Sequence, residues 1–313
     1  MTTIEKKNLR VSTLFLLAGY AIFGFSFLFS KKALFYTSPM VLMGFRFTSA
    51  FLILNIVIVF KKVKIKLKGK QLIYIFMLGL VQPVLYFICE TYGVKLLQTS
   101  FVGILLSLIP MTSFLVGYLF LKERVKLIQI LFALLSVVGV VFTTLGQTEG
   151  QFSWLGFLLI IGSVITASLF NVLSRKLANE YTAFERTYAM FFIGFVTFLV
   201  LGLIDSIGNF RELVIIPMGN LSFWISIIFL SGISSVGAFL MVNYAMTYFP
   251  VAKASIFSNI ATVISILVGV IFLHEHFGVY QLIGSIIIIG SVYGVNKRSK
   301  RNLVSNDFPI IST

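Results

Sequence analysis

Three asparagines stand inside long apolar runs of this chain: Asn171, Asn243 and Asn259. An amide has two donors and an acceptor to satisfy, and leaving them unpaired in an apolar medium is costly. Each therefore needs a polar neighbour or a polar solute. Two of the three belong to stripes of small and polar residues at helical spacing, which fall on one helix face. One stripe runs Ser163, Ala167, Asn171, Ser174; another runs Ser255, Asn259, Thr262, Ile266, Gly269. A third, Gly103, Ser107, Pro110, Phe114, Gly117, repeats the register of the second. Such stripes either let membrane helices approach closely or line a solute path, and both readings stay open. Phe27, Tyr86, Tyr92 and Tyr244 could face a cavity, though aromatic residues also serve packing and interfacial belts. Arg46 is the one cation within an apolar run, two turns past Pro39. An ionisable residue at such a place is a functional candidate; the alternative is that it snorkels or bonds backbone carbonyls.

Other reactive types are poorly placed for catalysis. His274 and His276 flank Glu275 at a spacing that does not bring them together on a helix, and Cys89 is alone. No metal site, cofactor site or disulfide is expected, and no nucleophile stands with a base, so an enzyme is not expected. Glu123 and Glu275 fall at the ends of apolar runs and read as caps or short ion pairs rather than coupling groups. Glu90 and Asp205 read as terminal too. With no carboxylate expected at the middle of a span, no proton relay is expected. Pro83 and Pro110, with nearby glycines, are candidate hinges or fixed kinks.

These residues need a membrane to make sense. Hydrophobic residues make up 58% of the 313, charged residues 11%, and mean hydropathy is +1.03, against about 25% charged in an ordinary soluble domain. Apolar runs of about 20 residues recur, without the alternation of a barrel strand, so helical spans follow. The runs predict ten: 13–35, 40–60, 72–90, 98–120, 127–146, 154–174, 184–205, 222–244, 251–273 and 279–296. With both termini cytoplasmic, 20 of the 25 Lys and Arg fall on the inner side and four on the outer, as the positive-inside rule requires. The net charge of +15 then reflects cytoplasmic loops and anionic lipid rather than nucleic acid.

The chain also repeats itself. Residues 91–129 align without a gap on 243–281, an offset of 152, with ten of 39 positions identical. The identities include Tyr92 with Tyr244, Gly117 with Gly269, Glu123 with Glu275 and Gln129 with Gln281. At an offset of 144, Ser30, Lys31 and Lys32 meet Ser174, Arg175 and Lys176. The stretch 146–153 joins the two halves, and the extra eight residues enter around 205–220. Five spans per half is an odd number, so the second half must be inserted upside down. The expected fold is an all-α membrane protein of ten transmembrane helices in two inverted five-helix repeats, an arrangement common in secondary transporters.

With Leu121-Lys122-Glu123 and Leu273-His274-Glu275 closing the fourth and ninth runs, Gly24 to Lys32 in the first, Pro39 with Arg46-Phe47 in the second and Tyr92-Gly93-Val94 closing the third, the chain resembles the EamA family of the drug/metabolite transporter superfamily. It departs from the family pattern in lacking the first-span Trp, where Ile22-Phe23-Gly24 stands, and in having Thr262 opposite Pro110. The resemblance implies EamA-like repeats at 1–146 and 147–313. It also implies a permease of the cytoplasmic membrane that exports a small metabolite such as an amino acid by alternating access. The pathway candidates are Phe27, Arg46, Tyr86, Tyr92, Ser107, Asn171, Asn243, Tyr244 and Asn259. The expected partners are a small-molecule substrate and the bilayer, with a homodimer left open. The competing reading is a membrane scaffold or assembly protein that keeps the fold without transport.

Overall fold

A computed structural model describes residues 3–63, 65–66, 71–121, 127–145, 152–249 and 251–303. Among them the ordered structure is helical. The main segments are α1 (Thr3–Leu34), α2 (Pro39–Lys61), α3 (Leu72–Leu96), α4 (Thr99–Leu106 and Ile109–Leu121) and α5 (Leu127–Leu145). They continue with α6 (Trp154–Leu177), α7 (Ala183–Asp205), α8 (Leu221–Tyr248), α9 (Ser255–Phe272) and α10 (Val279–Leu303). A short helical piece at 211–218 lies between α7 and α8.

Local chemistry sets several boundaries. The Ser38 hydroxyl accepts from the Val41 amide ahead of Pro39 at the first helical position, and Lys62 ends α2 in the left-handed region at φ 49°. Thr182 and Glu185 form a capping box at the start of α7, satisfying two amides that have no partner within the helix.

Eight of the helical stretches are long and apolar enough to cross a membrane. In α5 and α10 the apolar lengths are shorter, Leu134–Leu145 and Val279–Ser291. The expected ten spans are therefore met by eight among the described residues. The stretch expected to join the halves falls mostly outside them.

The packing follows the repeat. α1 lies against α8 and α9, while its counterpart α6 lies against α3 and α4. The equivalent helices α2 and α7 pack on each other, as do α4 with α9 and α5 with α10. Exchanging the halves leaves this set of neighbours unchanged, so the core belongs to both halves at once. Its densest part is aromatic: Phe47 stacks on Phe198 at 5.2 Å and meets Phe191 edge-on at 5.5 Å.

Small residues serve this packing. The Gly103 carbonyl accepts from the Thr262 hydroxyl at 3.0 Å. A Cβ on Gly103 would come within 1.7 Å of the Ser265 Oγ, so α4 and α9 meet there backbone to side chain. Much of the stripe pattern thus records close helix contact.

Candidate substrate cavity

Two helices abandon regular geometry near the middle of the molecule. In α3, Gln82 is extended at φ −145°, ψ 118° just before Pro83. Proline cannot donate a backbone bond and disfavours helical geometry in the residue before it. In α8, residues Phe229–Ala238 form wider π-type turns. The two irregular stretches correspond through the 152-residue offset, and such turns recur at functional sites.

Beside them lies a cavity, partly open to solvent, bounded by α1, α2, α3, α4, α6, α8 and α9. Its wall obeys the repeat. Phe23, Ser26 and Phe27 face it together with their 144-offset counterparts Ala167, Phe170 and Asn171. Phe87, Glu90, Leu106 and Ile109 face it with their 152-offset counterparts Phe239, Val242, Ser258 and Ala261. The cavity is therefore lined by both halves.

Its charges do not obey the repeat. Arg46 and Glu90 both line it, and both come from the first half. The position equivalent to Glu90 is Val242, and that equivalent to Arg46 is Met190. Arg46 is 1% exposed. Its Nε donates to Ser235 Oγ at 2.8 Å and its Nη2 to Ser234 Oγ at 3.2 Å, both on the irregular part of α8. The guanidinium lies 4.3 Å from the Phe87 ring centroid, close enough for a cation–π attraction. Its Nη1 is buried without a partner. Arg46 thus neither snorkels nor bonds carbonyls; it is held by hydroxyls of the opposite half.

Glu90 corrects the expectation of a terminal carboxylate. α3 continues to Leu96, which puts Glu90 within the helix, 2% exposed and on the cavity wall. The Thr91 hydroxyl donates to its Oε2 at 3.3 Å. Gln82, also on the wall, has a buried Oε1 without a partner. The run of apolar residues concealed Glu90 because the expected span stopped there. Its only sequence signal is its pairing with Val242 inside the repeat.

Of the nine pathway candidates, Phe27, Arg46, Tyr86 and Asn171 line the cavity. Asn171 donates from Nδ2 to Ser113 Oγ at 3.1 Å. Ser107 is fully buried at the break in α4, its hydroxyl donating to the Ile104 carbonyl at 2.6 Å. Asn259 follows the wall residue Ser258 and carries a buried Oδ1 without a partner. Asn243 joins three helices away from the wall: Ser174 donates to its Oδ1 at 2.7 Å, and its Nδ2 donates to Thr187 Oγ1 at 2.9 Å. Its carbonyl also accepts from Arg186 Nη2 at 2.7 Å. Tyr244 packs edge-on against Phe15 at 5.3 Å, and Tyr92 packs against the aromatic core.

Glu275 and Lys31 cap helix ends, whereas Asp205 at the end of α7 accepts from the Ser38 hydroxyl. Glu275 accepts from the amides of Thr99 at 2.6 Å and Ser100 at 2.8 Å, at the amino-terminal end of α4, where negative charge is favoured. Glu123 lies outside the described residues. Lys31 donates to the carbonyls of Val94 at 2.7 Å and Leu97 at 2.9 Å. Among the described residues no group of His, Cys, Asp and Glu could hold a metal ion.

A bundle of apolar helices, duplicated and enclosing a partly polar cavity, defines a multi-pass membrane protein. The EamA-like transporter family model matches twice, over residues 11–145 and 154–297. The chain belongs to the EamA-like transporter family, and it is a multi-pass membrane protein of transporter type. It is 31% identical over 291 residues to the uncharacterized transporter YcxC of Bacillus subtilis, covering 90% of this chain and 92% of that one. It is 25% identical over 292 residues to the uncharacterized transporter YvbV of the same organism, covering 93% of each. An uncharacterized transporter of Archaeoglobus fulgidus is 23% identical over 275 residues, covering 88% of this chain and 95% of that one. A solved crystal structure superposes with a TM-score of 0.68 at 20% identity, covering 94% of this chain and 99% of that one, a likeness of fold.

Proposed function

We propose that this chain is a secondary transporter of the cytoplasmic membrane that exports a small metabolite such as an amino acid by alternating access. The observation that carries the reading is the cavity shared by both halves, whose wall residues pair through the repeat while its charges do not. A site on the axis between two repeats is where rocking of one half against the other changes exposure from one side to the other. The same reading takes the chain as ten spans, with inverted repeats at 1–146 and 147–313 and both termini cytoplasmic. The charge asymmetry of the loops supports that orientation.

The test is flux. Cells lacking and cells expressing the chain are preloaded with labelled amino acids and other small metabolites, and release is followed with time. Faster release of at least one solute is expected. Equal release across the panel, with the protein shown to be in the membrane, overturns the proposal.

A further inference from the structure

We infer that Glu275 is a releasable latch: its carboxylate, from the second half of the chain, pins the start of α4 in the first half and holds the bundle shut at that end. The inference rests on the transport reading for its purpose. It goes beyond that reading by naming the contact that must break when the cavity opens there.

The way α9 ends builds the latch. α9 stops at Phe272, and His274 turns the chain back in the left-handed region at φ 52°. That region is disfavoured for a residue with a side chain, so contacts hold the reversal rather than local preference. The Glu275 amide donates to the Gly269 carbonyl at 3.0 Å, which brings the Glu275 side chain back over the last turn of α9. Gly269 leaves it room: a Cβ there would lie 2.4 Å from Glu275 Oε2 and 3.1 Å from the Ser100 amide nitrogen. The carboxylate thus sits between α9 and α4, with Oε1 on the Thr99 amide and Oε2 on the Ser100 amide. Neither amide has a partner within α4.

Lys31 completes the fixture from α1. Its ammonium holds the Val94 and Leu97 carbonyls just ahead of Thr99, close enough for its charge to attract Glu275. The ends of α1 and α3 and the start of α4, all from the first half, are thereby tied to one carboxylate of the second. α4 and α9 both line the cavity, through Gly103, Leu106 and Ile109 on one and Ser258, Ala261 and Thr262 on the other. Parting them at the Thr99 end therefore exposes the cavity to that face. Glu275 is half-buried, so water replaces the amides when it lets go. The exchange of one set of hydrogen bonds for another keeps the net cost of release modest.

The test reads accessibility and not flux. The full-length chain carries one reporter on the cavity wall, Ala261→Cys, in a Cys89→Ala background, Cys89 being its single cysteine. A membrane-impermeant maleimide is applied to each face, using intact cells and inside-out vesicles. Lys95→Cys, exposed next to Val94 at the latch end, fixes which face that is. Glu275→Gln is expected to raise labelling of the reporter from the latch face about tenfold. Labelling from the opposite face is expected to fall, since population moved into one state leaves the other. Gly269→Ala keeps the carboxylate but displaces it, and is expected to act in the same direction, so the test does not hang on one variant folding. Labelling left unchanged by both variants, or raised from both faces as a loosened fold would make it, overturns the latch. Reciprocal labelling with no solute moved removes the transport reading and keeps the latch. Solute moved with labelling unchanged by both variants removes the latch and keeps the transport reading.

Discussion

Lys31 and Arg175 do the same work in opposite halves. Lys31, near the end of α1, donates to the Val94 carbonyl at 2.7 Å. Arg175, its counterpart near the end of α6, donates to the Met246 carbonyl at 3.0 Å. Val94 and Met246 are themselves counterparts, 152 residues apart. Each cation closes the carbonyl end of a helix in its own half, α3 for Lys31 and α8 for Arg175, where positive charge is favoured. The repeat is thus preserved as an interaction and not only as residue types.

Replacing either cation by methionine keeps most of the stem and removes the charge. Lys31→Met and Arg175→Met should each cost about 1–3 kcal/mol, the worth of hydrogen bonds to a charged group. Lys31→Arg should recover most of the loss. The two costs should add, because the sites share no partner. Denaturant unfolding of the purified variants measures this, and a cation-to-methionine change with no effect would remove the capping role.

Glu275 makes the converse cap. Its carboxylate holds the Thr99 and Ser100 amides of α4, so Glu275→Leu leaves two amides without acceptors at a helix end. A loss of about 1–3 kcal/mol is expected, with Glu275→Gln falling between because it keeps an acceptor and loses the charge. Hydrogen exchange at Thr99 and Ser100 should quicken in the leucine variant. Unchanged protection there would contradict the contact.

The seam between α4 and α9 allows a sharper test. Gly103→Ala places a methyl where Ser265 stands, and overpacking of this kind costs about 1–3 kcal/mol. Ser265→Gly should itself cost little more than its side chain's packing. The double variant should be more stable than the sum of the two single changes predicts, since the second makes room for the first. Purely additive losses would mean that the helices are further apart than described.

How much of this the sequence disclosed depends on the range of each interaction. Helix positions and the duplication were legible because they rest on hydropathy and on residues in register, such as Tyr92 with Tyr244. Arg46 stood out as a cation in an apolar run, but its partners Ser234 and Ser235 lie 188 and 189 residues away, beyond any local pattern. Glu90 was passed over because hydropathy marks where charge begins, and that is not where α3 ends. Asn243 shows the opposite limit. A buried amide in an apolar run has the same signature whether it meets a solute or, as here, Ser174 and Thr187 of neighbouring helices.

Filling the cavity separates its role from the stability of the bundle. Ala167 lines the wall, the repeat counterpart of Phe23. A larger side chain there projects toward the cavity, so Ala167→Trp should fold, insert and migrate on gel filtration as the parent does, with solute release falling to the level of cells lacking the protein. Ala189 is the control. It is equally small and 4% exposed, but it belongs to the aromatic core away from the cavity wall. Added volume there meets packed side chains, as close-packed interiors require, so Ala189→Trp should lower stability by about 1–3 kcal/mol or more. If Ala167→Trp folds and still releases solute at the parent rate, solute does not pass through this space, whatever else the cavity binds.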